Sequence, residues 1–351
     1  MNKSDALETR DRGAVLVFVA VFLTVAMILV AFVVDIGFAF VERRQLQNGA
    51  DAAALAVAQD CAEGSCGDFM TTATQAAGYN ATSDGVSAVD FVCGSGGGLP
   101  ACADGYRPPA SQSLGWVRVR TSTLENNGSP VLRFLLGLFV GSEGATIRAA
   151  AVAAWGIAGS GRALPFVLHE CKLNEMEGPD FPSYPSGEVI LYAMPVDTSG
   201  KSSDCRQKDG KGPSGNFGWV PGDSTCLVEL DLSTPIVGDG GKDANPLKKN
   251  CDNGAAIQDQ TVLIAIYNDW MGQGGGGGTT YYLVGFLGFR VTGYDMAGRA
   301  TWPAGFSCPS DDGKPNDGSF RCFRGYFTTA TFDGDFGGSY NTGVTSVKMI
   351  G

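Results

Sequence analysis

Residues 13–58, GAVLVFVAVFLTVAMILVAFVVDIGFAFVERRQLQNGADAAALAVA, decide the architecture of this chain. From Ala14 to Val34 there are 21 residues without a charge. At about 1.5 Å per residue, a helix of that length just crosses a hydrocarbon layer of roughly 30 Å. No turn signal closes the run. It passes through Asp35 into Glu42, Arg43 and Arg44, then into an alanine-rich segment of helix-forming composition. The expectation is one long helix, half in lipid and half outside it.

A cleaved signal peptide is the competing reading. Its apolar core covers about 7–15 residues and ends at a small-residue cleavage site. Here the run is longer, and Val34–Phe38 offers no such site, so a retained anchor is expected. Asp35 marks the outer edge of the span, where a carboxylate reaches the interface cheaply. The basic residues are nearly balanced, with Lys3, Arg10 and Arg12 before the span and Arg43 and Arg44 after it. Charge therefore orients the segment only weakly.

Cysteine placement orients it better. All ten cysteines (Cys61, Cys66, Cys93, Cys102, Cys171, Cys205, Cys226, Cys251, Cys308 and Cys322) follow the span. An even count in a loop-rich region fits disulfides in an oxidising compartment. Zinc is the rival use, but there is no CxxC pair and His169 is the single histidine. Short-range pairs such as Cys61 with Cys66, Cys93 with Cys102, Cys226 with Cys251 and Cys308 with Cys322 are plausible among roughly 900 possible pairings. The expected topology is a single-pass protein of the cytoplasmic (inner) membrane, its N-terminus inside and its bulk periplasmic or extracellular.

The order of a charged tail, Arg12–Gly13, an apolar span, Val34–Asp35–Ile36–Gly37, Arg43–Arg44 and then LQNGADAAALA (Leu46–Ala56) resembles the Tad-like N-terminal domain. That domain heads TadE/TadG-type proteins of tight-adherence (Flp) pilus assembly. The resemblance implies a single-span protein with a short inner tail and a large outer domain, linked to pilus biogenesis, secretion and adhesion. Processed pilins of this system carry Glu at the fifth position after the cleaved Gly. Here that position is Phe18, so the chain looks more like the unprocessed TadG type than a pilin subunit. The DxSxS motif of the von Willebrand A domains found in larger TadG proteins does not occur. A softer similarity to TadG-related outer domains extends to Gly215–Val220, Val284–Tyr294 and Cys322–Phe327 and carries no binding residue.

Within the extension, Leu46, Ala50, Ala53 and Val57 recur at helical spacing. Small residues let a second backbone approach closely. Two readings stand side by side: a seam for a partner helix, or packing on the protein's own outer domain.

Beyond the helix, residues 60–110 read as Gly-, Ser- and Cys-rich loop with one strand at Val86–Cys93. Trp116–Thr123 alternates, with Val117, Val119 and Thr121 on one face and Trp116, Arg118 and Arg120 on the other. Val131–Val140 is apolar apart from Arg133 and too short to span, so a buried or surface-lying helix is expected. A strand follows at Ala145–Trp155, and GIAGSG (Gly156–Gly161) reads as a boundary. The best strands beyond it are Glu188–Met194, Thr225–Leu232, Thr261–Tyr267 and Tyr281–Thr292. Val262–Tyr267 is apolar on both faces, as in a central strand. The fold class is α+β. A cytoplasmic tail (1–13) leads to the transmembrane helix (14–34), then a helix extension with an α+β module (35–158), then a β-rich, disulfide-containing outer domain (162–351).

Chemistry is harder to find. No GxSxG, HExxH or phosphate-loop pattern occurs, and the Gly272–Gly278 run lacks the Lys–Ser/Thr step that cradles phosphate. His169 beside Glu170 and Cys171 is the best catalytic candidate, and a lone histidine at a strand end is ordinarily structural. Asp311, Asp312, Asn316 and Asp317, and separately Asp333 and Asp335, could face calcium. Asp–Gly turns explain them as well. With 36 acidic against 25 basic residues and a net charge of −11, nucleic acid is not an expected partner. No cofactor, metal site or catalytic set is assigned. The expected function is an outward-facing assembly component of a Tad pilus or secretion apparatus, partnered by single-span pilin-like or Tad assembly proteins. The alternatives are a free-standing surface adhesin, with contacts at Trp219, Trp270 or Trp302, and, least supported, an anchored hydrolase.

Overall fold

A single helix, α1 (Lys3–Ala62), runs through the whole quoted stretch in the computed structural model of the chain. The structure describes residues 3–79, 86–109, 113–124, 134–135, 137, 141, 144–170, 173, 184–192, 217–223, 225–238, 254–272, 278–296, 301–309 and 321–350, with side chains from residue 15 onward except those of Val86, Phe217 and Asp333. Nothing in the helix interior breaks it, because it holds no proline and its three glycines, Gly13, Gly37 and Gly49, are isolated. At about 1.5 Å per residue, its 60 residues extend for roughly 90 Å.

The helix ends where Gly64, at φ +112°, turns the chain and its N–H donates to the Cys61 carbonyl at 3.1 Å. A disulfide between Cys61 and Cys66 closes that turn. A second helix follows, α2 (Phe69–Tyr79), which the loop-like composition of residues 60–110 concealed. Its start is conventional: the Thr71 N–H donates to the Asp68 carboxylate at 3.2 Å, and Ala73 and Ala77, one turn apart, are its buried face.

Three antiparallel strands come next: β1 (Val86–Ser95), β2 (Gly115–Leu124) and β3 (Arg148–Ile157). The chain then builds a second sheet from β4 (Ser160–His169), β5 (Val189–Tyr192), β6 (Phe217–Trp219), β7 (Val228–Asp231), β8 (Ile236–Val237), β9 (Thr261–Met271), β10 (Thr280–Met296), β11 (Thr301–Trp302) and β12 (Arg321–Thr328). Its main path is β5-β12-β10-β9-β4-β6, antiparallel except where β4 lies parallel to β9. Finally β13 (Ala330–Asp333) and β14 (Val344–Met349) return to the first sheet. There β14 is antiparallel to β3 and parallel to β13, giving the order β1-β2-β3-β14-β13. The break at 156–161 thus separates β3 from β4, while residues 330–349 lie with the first sheet.

The α+β class follows from two kinds of burial. The first sheet is covered on one face by α1 and α2, with Val117 and Val119 of β2 and Ala151, Ala153 and Trp155 of β3 in that core. Its other face carries Arg118, paired with Asp104 at 2.6 Å and stacked on Tyr106, and Arg120, paired with Asp90 at 3.0 Å. The second sheet is buried on both faces. Val262, Ile264 and Ile266 of β9 enter one core, and Leu263, Ala265 and Tyr267 enter the other. That is the period-two partition expected of a central strand.

Several boundaries moved for local reasons. The strand expected at Thr225–Leu232 shortens to Val228–Asp231, because the Thr225 and Leu227 N–H groups both donate to Asp223 Oδ1 and wrap the chain into a turn. Cys226 inside it takes φ 65°. The Ala145–Trp155 strand begins at Arg148, and Glu188–Met194 is described as Val189–Tyr192. The strand read at Thr261–Tyr267 runs on to Met271, and Thr280 pairs with Met271, so β9 and β10 form a hairpin across the glycine run. Residues 273–277 of that run, and most of 131–140, lie outside the described residues.

Candidate membrane anchor and docking surfaces

The two halves of α1 have opposite surroundings. Between Val15 and Val41 the large apolar side chains, apart from half-buried Val34, stand out from the molecule, from Ile28 at 37 % to Phe18 at 76 % exposed. Such a belt is unstable in water and is the surface lipid takes. By length and composition α1 can cross a membrane. Arg43 and Arg44, both exposed, follow directly.

From Leu46 onward the pattern reverses. Leu46, Ala50, Ala53 and Val57 are at most 2 % exposed, and Ala54 and Ala58 are fully buried beside them. Ala50, Ala53 and Val57 pack into the same core as Val117, Val119, Ala151, Ala153 and Val347. The Thr121 hydroxyl on β2 donates to the Leu46 carbonyl at 2.9 Å, and Gln47 Nε2 reaches the Ala150 carbonyl at 3.3 Å. The four stripe residues therefore face the chain's own sheet, the second of the two readings their spacing allows. A partner helix has no access to them while this sheet is in place.

Asp35 is not at a free edge. It is 7 % exposed, and its Oδ1 accepts the Leu135 N–H at 2.7 Å across 100 residues of sequence. Sequence reasoning placed this carboxylate only as a boundary, and its partner could not be read from local pattern.

The structure joins Cys61 to Cys66, Cys93 to Cys102 and Cys308 to Cys322. Cys226 is also disulfide-bonded, whereas Cys171, Cys205 and Cys251 lie outside the described residues. The first bond does more than close a turn. Gly97, at φ +60°, lies so close that an added Cβ would come within 2.1 Å of Cys66 Sγ, so the β1–β2 connection is seated on it.

The residues considered for chemistry are distributed rather than gathered. His169 ends β4, edge-on to Tyr267 at 5.0 Å and Trp270 at 5.6 Å, and burial lowers its pKa. Burial raises the pKa of Tyr267 beside it, with Tyr281 adding to the effect. Trp219, Trp270 and Trp302 are half-buried on the second sheet's cores rather than displayed. Asp335 pairs with Lys348, and Asp231 accepts from the Ser233 N–H at 2.7 Å, so both carboxylates at the junction of the sheets are engaged. Asp311, Asp312, Asn316 and Asp317, and the side chain of Asp333, lie outside the described residues. Among the described residues, no three His, Cys, Asp or Glu side chains are grouped to hold a metal. One open groove, of about 640 Å³, runs between Leu55 and Gln59 of α1, Glu63 just past its end, and Phe332, Val347 and Met349.

Residues 13–60 match the Tad family, described as Flp pilus-assembly TadE/G-like. The match covers 48 of 351 residues and ends two residues before α1 does. It spans both the exposed belt and the helix half that docks on the sheet. No curated protein and no solved structure matches the chain.

Proposed function

We propose that the chain is a membrane-anchored structural component of a Tad (Flp) type pilus or secretion apparatus. In this reading the exposed half of α1 crosses the cytoplasmic membrane, the N-terminal tail is inside, and both sheets stand outside. The observation that carries the reading is the continuity of α1: one helix joins an exposed apolar belt to a half locked against a sheet, and the Tad match covers both. An anchor coupled rigidly to its outer domain suits a part that must hold position in an assembly. Disulfides on the domain side support an oxidising exterior.

Since Leu46, Ala50, Ala53 and Val57 are occupied by the chain's own sheet, partner contacts fall to the exposed half. Other single-span pilin-like or Tad assembly proteins are the expected partners there, helix against helix in lipid. Crosslinking the tagged chain in its native membrane, followed by identification of what co-purifies, tests this. Pilin-like single-span proteins, an inner-membrane platform or an assembly ATPase are the expected partners. Recovery of the chain alone would overturn the assembly reading.

A further inference from the structure

The exposed apolar surface of α1 is longer than a hydrocarbon layer. From Val15 to Val41 there are 27 residues, with Ile36, Phe38, Phe40 and Val41 still facing outward beyond Asp35. At about 1.5 Å per residue that is roughly 40 Å, close to the thickness of a bilayer with its interfacial regions. The exposed pair Arg43 and Arg44 then falls at the headgroup level, where long basic side chains reach polar surroundings. Asp35 lies eight positions before Arg43, which puts it about 12 Å deeper along the helix axis.

A carboxylate at that depth requires a partner. Asp35 has one in the Leu135 N–H at 2.7 Å. Whatever carries Leu135 therefore sits beside α1 at the same depth. Its backbone is suited to this position: the Gly137 N–H donates to the Phe134 carbonyl at 3.0 Å, and the Gly141 N–H donates to the Gly137 carbonyl at 2.8 Å. Internal pairing of this kind is what lipid demands of a backbone. Leu135 itself is 47 % exposed, and the sequence from Phe134 to Gly141 has no charged residue, with Arg133 directly before it.

We propose that Leu135, with Phe134, Gly137 and Gly141 near it, is a second membrane contact, lying in the domain-side leaflet next to α1 and docked there by Asp35. Its occupant is the bilayer, because its apolar side chain continues the lipid-facing surface of α1 at a level below the arginine pair. The chain would then hold its outer domain to the membrane at two points. One helix alone permits rotation about its axis, and a second contact restricts tilt.

This rests on α1 spanning the bilayer, so the test reports on both. The full chain is reconstituted in phosphatidylethanolamine–phosphatidylglycerol vesicles with a nitroxide on L135C, L29C or L114C, one at a time. Collision with oxygen and with a water-soluble nickel complex then gives each label's depth. Leu29 lies in the span, and Leu114 is exposed beside β2. The expected result is that the Leu135 label favours oxygen several-fold over the Leu114 label, as the Leu29 label does. A Leu135 label as accessible to nickel as Leu114, with Leu29 still in lipid, overturns the second contact alone. If the Leu29 label is aqueous as well, the anchor falls and the second contact with it. In the D35A background the Leu135 label should move toward water, and an unchanged depth would overturn docking by Asp35.

Discussion

The two halves of α1 invert the usual relation between side-chain size and burial. The half rich in Val, Leu and Phe is exposed, and the half rich in alanine is buried. Solvent explains the difference. Lipid accepts large apolar side chains at no cost, so nothing in the chain need cover them. A β-sheet accepts a helix closely only when the helix face is small, and Ala50, Ala53, Ala54 and Ala58 allow α1 to lie against Val117, Val119, Ala151 and Ala153. Both halves belong to one unbroken helix, so a displacement of the sheet is transmitted along α1 without a hinge.

The largest expected effect comes from making the buried half resemble the exposed one. A50L combined with A53L puts leucine where the sheet leaves no room. Overpacking costs about 1–3 kcal/mol per site, so the pair should lose about 2–6 kcal/mol. Urea denaturation of the full chain in detergent, followed by tryptophan fluorescence, reads it. A midpoint equal to wild type would mean the stripe is not packed on the sheet.

Charging the exposed half is the complementary change. Arginine at the centre of a membrane helix costs about 3 kcal/mol of insertion, so L23R should shift the chain measurably out of the membrane fraction. The same charge at exposed Asn48, past the belt, should change either stability or insertion by no more than about 0.5 kcal/mol. Equal effects at both positions would remove the distinction between the halves.

The disulfide at the end of the buried half is next in size. Replacing Cys61 and Cys66 by serine reopens a short loop, and chain-entropy reasoning puts the cost at about 2 kcal/mol. Because the β1–β2 connection is seated on this bond at Gly97, the loss should also raise proteolysis near Gly96–Gly98. Unchanged protection there would show that the connection is held by other contacts.

How much of this was legible follows the range of the interactions. The span, the buried face of β2 and the two-sided β9 are local periodicities, and each is readable from its own residues. The helix α2 was hidden by Gly, Ser and Cys around it, though Asp68 before Ala73 and Ala77 was a usable signal. Strand β4 was hidden by Pro165 and by a GIAGSG run that reads as a linker. The pairing of β14 with β3 joins residues almost 200 positions apart, and no local pattern announces it. The stripe at Leu46, Ala50, Ala53 and Val57 was visible as a stripe, but small residues suit a second helix and a sheet alike. Likewise Asp35 was visible, and its partner at Leu135 was not.

The smallest effect separates the halves most cleanly, because the same bond occurs in each. Thr24 donates to the Ala20 carbonyl at 2.9 Å, one turn back on the same helix, and Thr121 donates to the Leu46 carbonyl at the same distance from β2. Threonine to valine keeps the shape and removes the donor. At Thr24 the bond ties α1 only to itself and valine suits lipid, so T24V should leave stability within about 0.5 kcal/mol of wild type. At Thr121 the bond crosses from sheet to helix in a buried site, and T121V should cost about 1 kcal/mol. The Leu46 carbonyl also has its own place in the helical ladder, which keeps the loss from being larger. Parallel urea titrations of the two variants decide it. Equal midpoints would mean that the Thr121 bond adds nothing to the other contacts that hold the helix to the sheet.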